Sequence, residues 1–292
     1  MKRLLLSLLI FFSSICSAKQ PTVLILPVGP GGLVHKYALE MQSFFNEFFG
    51  NVIIEFKPGA QGSIGASALS ENKTEKITLM MGPVQNWSTN PLRDLTPVAY
   101  MGTIPGIIFV NSKSNYRSLK EVLEKSQTDV ISYGFAGSSS NGKLIHIITD
   151  TYSNSKNFIG IPYKSGTAVT NDVIGRHIVL GVSIPNNIHQ YVKNNTLIPL
   201  AIFGPSKSSY LPDVPTLKDL NLSVENEFKL YNNIFLFANK NANKEQVDKL
   251  RVYLKKYFES ETSINVRKTM DIHFGTHSIT SPEKLINDII SE

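Results

Sequence analysis

The residues of this chain best suited to chemistry cluster in one stretch. Ser140-Asn141-Gly142-Lys143 has the S-x-x-K spacing, in which a lysine takes the proton of a serine nucleophile, and Lys164-Ser165-Gly166 approximates the K-T-G element that accompanies it. Such chemistry would be acyl transfer. The arrangement does not sustain it, because the two motifs lie too close together and no S-D-N triplet stands between them. The chain also lacks a G-x-S-x-G nucleophile turn, an H-E-x-x-H zinc site and a G-x-x-x-x-G-K-[ST] phosphate loop. Its single cysteine, Cys16, excludes a disulfide framework and a cysteine-based zinc site within the chain. The sequence therefore reads as a non-enzyme with no resident cofactor or metal.

The same small residues suit non-covalent capture of an anion. Residues 28–35 hold Gly29, Gly31 and Gly32, and residues 134–143 hold Gly134, Gly137, Ser138, Ser139, Ser140, Asn141 and Gly142. Each loop leads into a helix-like segment. Small side chains let backbone N–H groups approach a ligand, and a helix N-terminus adds unpaired donors and about half a positive charge. A carboxylate held between two such loops is the reading we take forward. Each feature also has a plainer role: glycine serves tight turns, serine caps helices, Lys143 suits a solvated helix face, and His35 a half-buried first turn.

Both loops need strands and helices behind them. Residues 21–27 (PTVLILP) are a short apolar run of the kind buried in a parallel sheet. Residues 34–49 repeat apolar side chains at helical spacing, 51–56 and 77–81 read as further strands, and 64–70 as a short helix. The order recurs with strands at 130–133, 158–161, 178–182 and 196–202 and helices at 143–152 and 168–174. Alternation of this kind implies parallel sheets covered by helices, here as two lobes. Two long apolar stretches, 98–110 and 228–238, read as the connections between the lobes. Residues 244–258 form an amphipathic pattern with Val247, Leu250, Tyr253, Leu254 and Tyr257 on one face. In open parallel sheets ligands sit beyond the carboxyl ends of strands, which is where both glycine-rich loops fall.

Composition and the amino terminus set the compartment. At 292 residues, 42% hydrophobic and 18% charged, the chain is globular with a sizeable core. A net charge of +6 is too mild for a nucleic-acid binder. Residues 1–18 have the parts of a secretory leader: Lys2 and Arg3, an apolar run too short to span a bilayer, and Cys16-Ser17-Ala18 before the cleavage point. Ile15 is too large for a lipoprotein signal. Cleavage after Ala18 would remove the only cysteine and place the product outside the cytoplasm, away from ATP and NAD pools.

Six strings of residues, in order and well spaced, resemble a known family. They are Pro30-Gly31-Gly32, Lys57-Pro58-Gly59-Ala60-Gln61-Gly62-Ser63-Ile64-Gly65-Ala66, Asp94-Leu95-Thr96-Pro97-Val98, Tyr133-Gly134-Phe135-Ala136-Gly137-Ser138, Ile161-Pro162-Tyr163-Lys164-Ser165-Gly166 and Leu211-Pro212-Asp213-Val214-Pro215-Thr216. Nearly the whole chain after the leader is similar to the Bug-type extracytoplasmic solute receptors of tripartite tricarboxylate transporters. The resemblance implies an α/β, two-lobed type 2 periplasmic-binding-protein architecture with two hinge crossings. Its lobes would comprise residues 19–103 with 232–292, and residues 104–231. It further implies a periplasmic, monomeric receptor that closes on a small organic acid and hands it to membrane permease subunits. A ligand-sensing partner of a membrane histidine kinase is the alternative, since it would use the same fold and cleft.

By the same resemblance the acid would be held by Gly31, Gly32, Leu33 and Val34 of one lobe and by Ser138, Ser139, Ser140 and Asn141 of the other, with Ser183 lining the cleft. The departures bear on which acid. Val34-His35 stands where the family usually has a Thr-Asp pair, and Lys143 where it usually has a histidine. An aspartate could receive a ligand ammonium, whereas His35 cannot when protonated. These exchanges imply a more cationic cleft and a di- or tricarboxylate lacking an amine. The segment from Gly82 to Pro91, which carries Gln85 and Trp87, is shorter than usual and implies a more open wall, with Gln85 placed to reach the ligand.

Overall fold

The structure, a computed structural model, describes residues 20–83, 94–136, 140–153, 155–225 and 230–274. In chain order the elements are β1 (Thr22–Leu26), α1 (Leu33–Phe49), β2 (Val52–Phe56), α2 (Ser63–Ser70), β3 (Leu79–Pro83), β4 (Leu95–Ile104), β5 (Gly106–Asn111), α3 (Leu119–Lys125) and β6 (Ile131–Ala136). They continue with α4 (Ser140–Tyr152), β7 (Phe158–Tyr163), α5 (Gly166–Ile174), β8 (Leu180–Ser183), α6 (Pro185–Lys193), β9 (Leu197–Phe203), β10 (Asn232–Asn239), α7 (Lys244–Glu259) and α8 (Glu261–Met270).

The strands form two five-stranded sheets ordered β2-β1-β3-β10-β4 and β7-β6-β8-β5-β9. The two orders follow one plan. Three parallel strands are arranged second-first-third, an antiparallel strand follows, and a fourth closes the edge. In each sheet the antiparallel strand arrives from the other half of the chain. β5 follows β4 directly, and β10 follows the connection from β9. Every residue of β5 and of β10 is buried, as strands covered on both faces require. One sheet is covered by α1, α7 and α8 through a cluster around Tyr37, Phe45, Leu236 and Leu254, and on its other face by α2 around Leu69, Tyr100 and Phe237. The other sheet is sandwiched by clusters around Leu144, Ile148 and Phe203 and around Phe109, Val169 and Ile188.

The structure differs from the sequence reading at several points. Residues 98–110 are two strands, broken at Pro105, which lacks the N–H a continuing ladder needs. Gly134, read as part of a loop, lies inside β6 and pairs with Ile161. Its missing side chain makes room for Tyr163 and Ile178, whose atoms would come within 2.8 Å and 2.6 Å of a Cβ there. Three helices went unread, α3, α6 and α8. α3 starts at a capping box, in which the Ser118 hydroxyl accepts from the Glu121 amide and the Glu121 carboxylate accepts from the Arg117 amide. α6 starts with Pro185 in its first turn.

A polar strap joins the two halves beside the Pro105 crossing. Asp271, in left-handed conformation after α8, is 2% exposed. Its carboxylate accepts from the Ser208 hydroxyl at 2.5 Å, the Ser209 amide at 2.7 Å and the Ser209 hydroxyl at 3.0 Å, all on the segment leaving β9. His273 Nε2 lies 2.9 Å from the same carboxylate and its Nδ1 lies 2.7 Å from the Ser206 hydroxyl. Backbone pairing of His273 with Thr103 ties the strap to β4.

Burial alone would raise the Asp271 carboxyl, but the bonds from His273, Ser208 and the Ser209 amide outweigh it and hold it below the ordinary value. A lowered carboxyl contributes stability above its unfolded value and loses it as pH falls through the lowered one. Asp271→Ala, which leaves the buried Ser208 hydroxyl and the Ser209 amide without this acceptor, should lower Tm by roughly 5–10 °C at pH 7. The deficit should shrink only below about pH 4, where the wild-type carboxylate itself protonates. Thermal unfolding across pH checks both statements.

Candidate functional site: the facing strand ends

Register places the carboxyl ends of both parallel sets at one junction. Ile104, the last residue of β4, pairs with Asn232, the first of β10, and Ile234 pairs with Pro83 at the end of β3. The exit of β4 and the carboxyl end of β3 therefore share an edge. In the second sheet Ile107, at the start of β5, pairs with Ser183, at the end of β8. Since only Pro105 separates β4 from β5, the two edges face each other. Ile184, which follows β8, packs against the hydrophobic cluster of the opposite lobe that contains Val34 and Leu33. The order second-first-third also makes β1/β3 and β6/β8 the points where chain direction switches sides, where crevices open in such sheets.

On the first lobe the loop after β1 is built on Pro27. That ring sits between Gly65 of α2 and Gly82 of β3, and a Cβ on either glycine would come within 2.9 Å or 2.5 Å of it. Gly31 adopts φ +87°, a conformation glycine holds without strain. Gly31 and Gly32 are exposed, Leu33 and His35 half-buried, and Val34 buried, with its side chain in the core cluster of the lobe. The Gly31 amide donates to His35 Nδ1 at 2.9 Å, and the His35 ring packs edge-on against Phe56 at 4.8 Å. An accepting Nδ1 means a neutral imidazole, so in this geometry His35 does not supply the positive charge expected of it.

On the second lobe Ser138 and Ser139 lie outside the described residues, as do Gln85 and Trp87. Ser140 and Asn141 form the first residues of α4. Lys143 stands exposed one residue after the buried Gly142, whose Cα packs on Phe135. Ser183 is 3% exposed. Its hydroxyl accepts from Asn187 Nδ2 at 3.0 Å, beneath Gly166, where a Cβ would come within 2.4 Å of it. Ser165 caps α5 by accepting from the Ala168 amide. The neighbouring Tyr163 hydroxyl donates to Asp172 at 2.6 Å. Burial and that carboxylate push Tyr163 up to about 12. The Pro-Tyr-Lys-Ser string is thus tied into its own lobe at both Tyr163 and Ser165.

The electrostatic pattern is sharper than any single residue. α1, α2, α4, α5 and α6 all leave carboxyl ends of parallel strands, and none has an acidic residue in its first turn. α3, α7 and α8 start elsewhere, and each carries one there: Glu121, Glu245 and Glu261. α1, α2 and α6 also lack a side-chain cap; at α1 this leaves the first amides available, whereas the Ser63 amide of α2 donates to Ala60 O and the Asn187 amide of α6 to Ile184 O. The junction is therefore polarised positive by backbone alone. The start of α6 and the interlobe contact of Ile184 escaped the sequence reading, although Pro185 after an apolar run signals the first of them. Among the described residues no cluster of His, Cys, Asp or Glu is placed to hold a metal, and no helix is long and apolar enough to cross a membrane.

Two lobes of this topology, joined by two crossings, define a type 2 periplasmic-binding-protein architecture. Residues 41–290 match the model of the tripartite tricarboxylate transporter family receptor, and the chain belongs to that family. It is 24% identical to BugT of Bordetella pertussis over 69% of this chain and 66% of BugT. Across the curated relatives it matches, the chain spans 55% to 66% of their length. Among solved structures, a Rhodopseudomonas palustris protein with adipate superposes with a TM-score of 0.73 at 18% identity, covering 93% of this chain and 94% of that one. MatC of the same organism, with bound malate, gives 0.71 at 17% identity over 93% and 96%. Likeness at this identity speaks for the fold.

Proposed function

We propose that the chain is an extracytoplasmic receptor that captures a small organic di- or tricarboxylate between its lobes and delivers it to the permease of a tripartite tricarboxylate-type transporter. The observation that carries this reading is the set of five acid-free helix starts converging on the facing strand ends. A carboxylate entering the junction meets backbone donors from both sides. Gly32 and Leu33 offer the first lobe's contacts, with Gly31 behind them fastened to His35, and Ser138, Ser139, Ser140 and Asn141 would offer the second's, with Gln85 and Lys143 as further candidates. Lobe closure about Pro105 and the β9–β10 connection adds the second set of contacts, so the acid shifts the population towards the closed form. The family and the leader at residues 1–18 support a periplasmic location. Binding of malate and adipate by fold neighbours supports the ligand class.

A melting-temperature screen of carboxylates tests this. Malate, adipate or a related diacid should raise Tm in proportion to occupancy. By calorimetry a diacid should bind more tightly than the amino acid of the same length, because none of the five helix starts at the junction carries a carboxylate to receive an ammonium. Tighter binding of the amino acid would overturn the assignment of ligand class.

A further inference from the structure

We infer that His35 is a positioning residue that braces the first loop in its neutral form, so that acid capture weakens on acidification. This deepens the receptor reading above and rests on it. The loop Pro30-Gly31-Gly32 presents the uncapped amides of α1, and Gly31 within it holds a positive φ. The Gly31 amide is fastened to His35 Nδ1 at 2.9 Å, one helical turn away. The ring is held from its other side by Phe56 at the end of β2, edge-on at 4.8 Å. His35 thus clamps the loop to the helix that follows and to the neighbouring strand.

A neutral imidazole has one acceptor nitrogen and one donor nitrogen. Here the acceptor faces Gly31, which leaves Nε2 as N–H. Protonation turns Nδ1 into a second donor, and two N–H groups then confront each other. The clamp opens and the ordered loop loosens. Histidine is the side chain that makes this change between pH 5 and 8. The charged neighbours on the packed elements are Glu55 and Lys57, which flank Phe56 and pair with each other at 3.6 Å, and Lys36 beside His35 on α1. The arrangement also bears on ligand class. With its lone pair engaged, His35 has nothing to offer an ammonium, and an acid without an amine is the better fit.

The sign of the pH dependence separates this role from direct contact. Were His35 to hold the acid as a cation, affinity would rise on acidification. As a brace it must fall. Calorimetry with adipate on the full chain should show wild-type affinity weaker by about fivefold at pH 6.0 than at pH 7.5, the effect of one lost hydrogen bond. His35→Asn, whose side-chain carbonyl can accept from Gly31 without titrating, should bind within about threefold of wild type at pH 7.5 and lose the difference in slope. It shares any titration of the ligand itself, so the comparison isolates the imidazole. His35→Ala should bind roughly fivefold to tenfold more weakly at both pH values. Tighter wild-type binding at pH 6.0, or an Asn variant as weak as the Ala variant, would overturn the proposal. In the ligand-free protein the Gly31 amide proton resonance should follow the His35 titration and stay flat in His35→Asn. An indifferent Gly31 amide in the wild type rejects the brace whatever the ligand. Failure of every carboxylate to bind, with the amide coupling intact, would sink the receptor reading and leave the brace standing.

Discussion

Gly106→Ala should lower the melting temperature by roughly 5–15 °C, the largest effect expected of any single methyl group in this chain. A Cβ there would fall 1.8 Å, 2.0 Å and 2.4 Å from three atoms of the Phe203 ring. Gly106 and Phe203 are register partners on β5 and β9, so the ring lies across the glycine by design of the ladder. Phe203 is 1% exposed and packed into the core cluster around Leu144 and Tyr231. It cannot swing out without opening a void, and Gly106 cannot retreat because Pro105 fixes the chain behind it. Overpacking of this kind ordinarily costs about 1–3 kcal/mol, and a rigid aromatic neighbour belongs at the upper end. The cause can be isolated with Phe203→Ala. That change is itself costly, but in its background the added methyl at Gly106 should cost under about 1 kcal/mol. Equal losses in both backgrounds would show that the ring is not what the methyl meets.

The second large effect should appear in binding. Gly82→Ala aims a methyl at Pro27, with Cγ at 2.5 Å and Cδ at 2.8 Å. Pro27 is buried, its ring has no rotamer to escape into, and Gly65 closes the other side with 2.9 Å to its Cβ. The strain must pass forward into the loop that carries Gly31 and Gly32. A displacement near 1 Å in a positioning loop is enough to weaken a carboxylate complex by about tenfold or more. Gly50→Ala is the control. Gly50 has φ +91°, closes the far end of α1, and has no atom within 4 Å of an added Cβ. It should cost about 1 kcal/mol of stability through backbone strain and leave affinity for diacids unchanged. A Gly82→Ala protein that binds as well as Gly50→Ala would show that Pro27 does not set the loop.

These two glycines mark what the sequence could and could not disclose. Apolar runs such as residues 22–26 and the helical spacing of 34–49 are local signals, and the sheets and α1 were legible from them. So was the placement of the first glycine-rich loop at the end of a strand. Gly134 and Gly106 were not, because a glycine in a ladder that yields space to a distant aromatic looks like a turn until the partner strand is known. Val34 and Ser183 matched the family's positions, yet their burial depends on packing that spacing alone does not encode. His35 reads as a cation by residue type. Its lone pair is committed by a backbone conformation at Gly31 that no string of letters specifies. The strap at Asp271 joins residues 62 and 63 positions apart in the chain, beyond the reach of any pattern.

That strap has a mechanical consequence. Two bodies linked by flexible peptides at one corner can swing and also swivel. Here Ser208 and Ser209 are pinned to Asp271 next to Pro105, with His273 bridging to Thr103. A second pin beside the first leaves a door and its jamb, with one axis and one path. Any closure of the two lobes is then confined to that path.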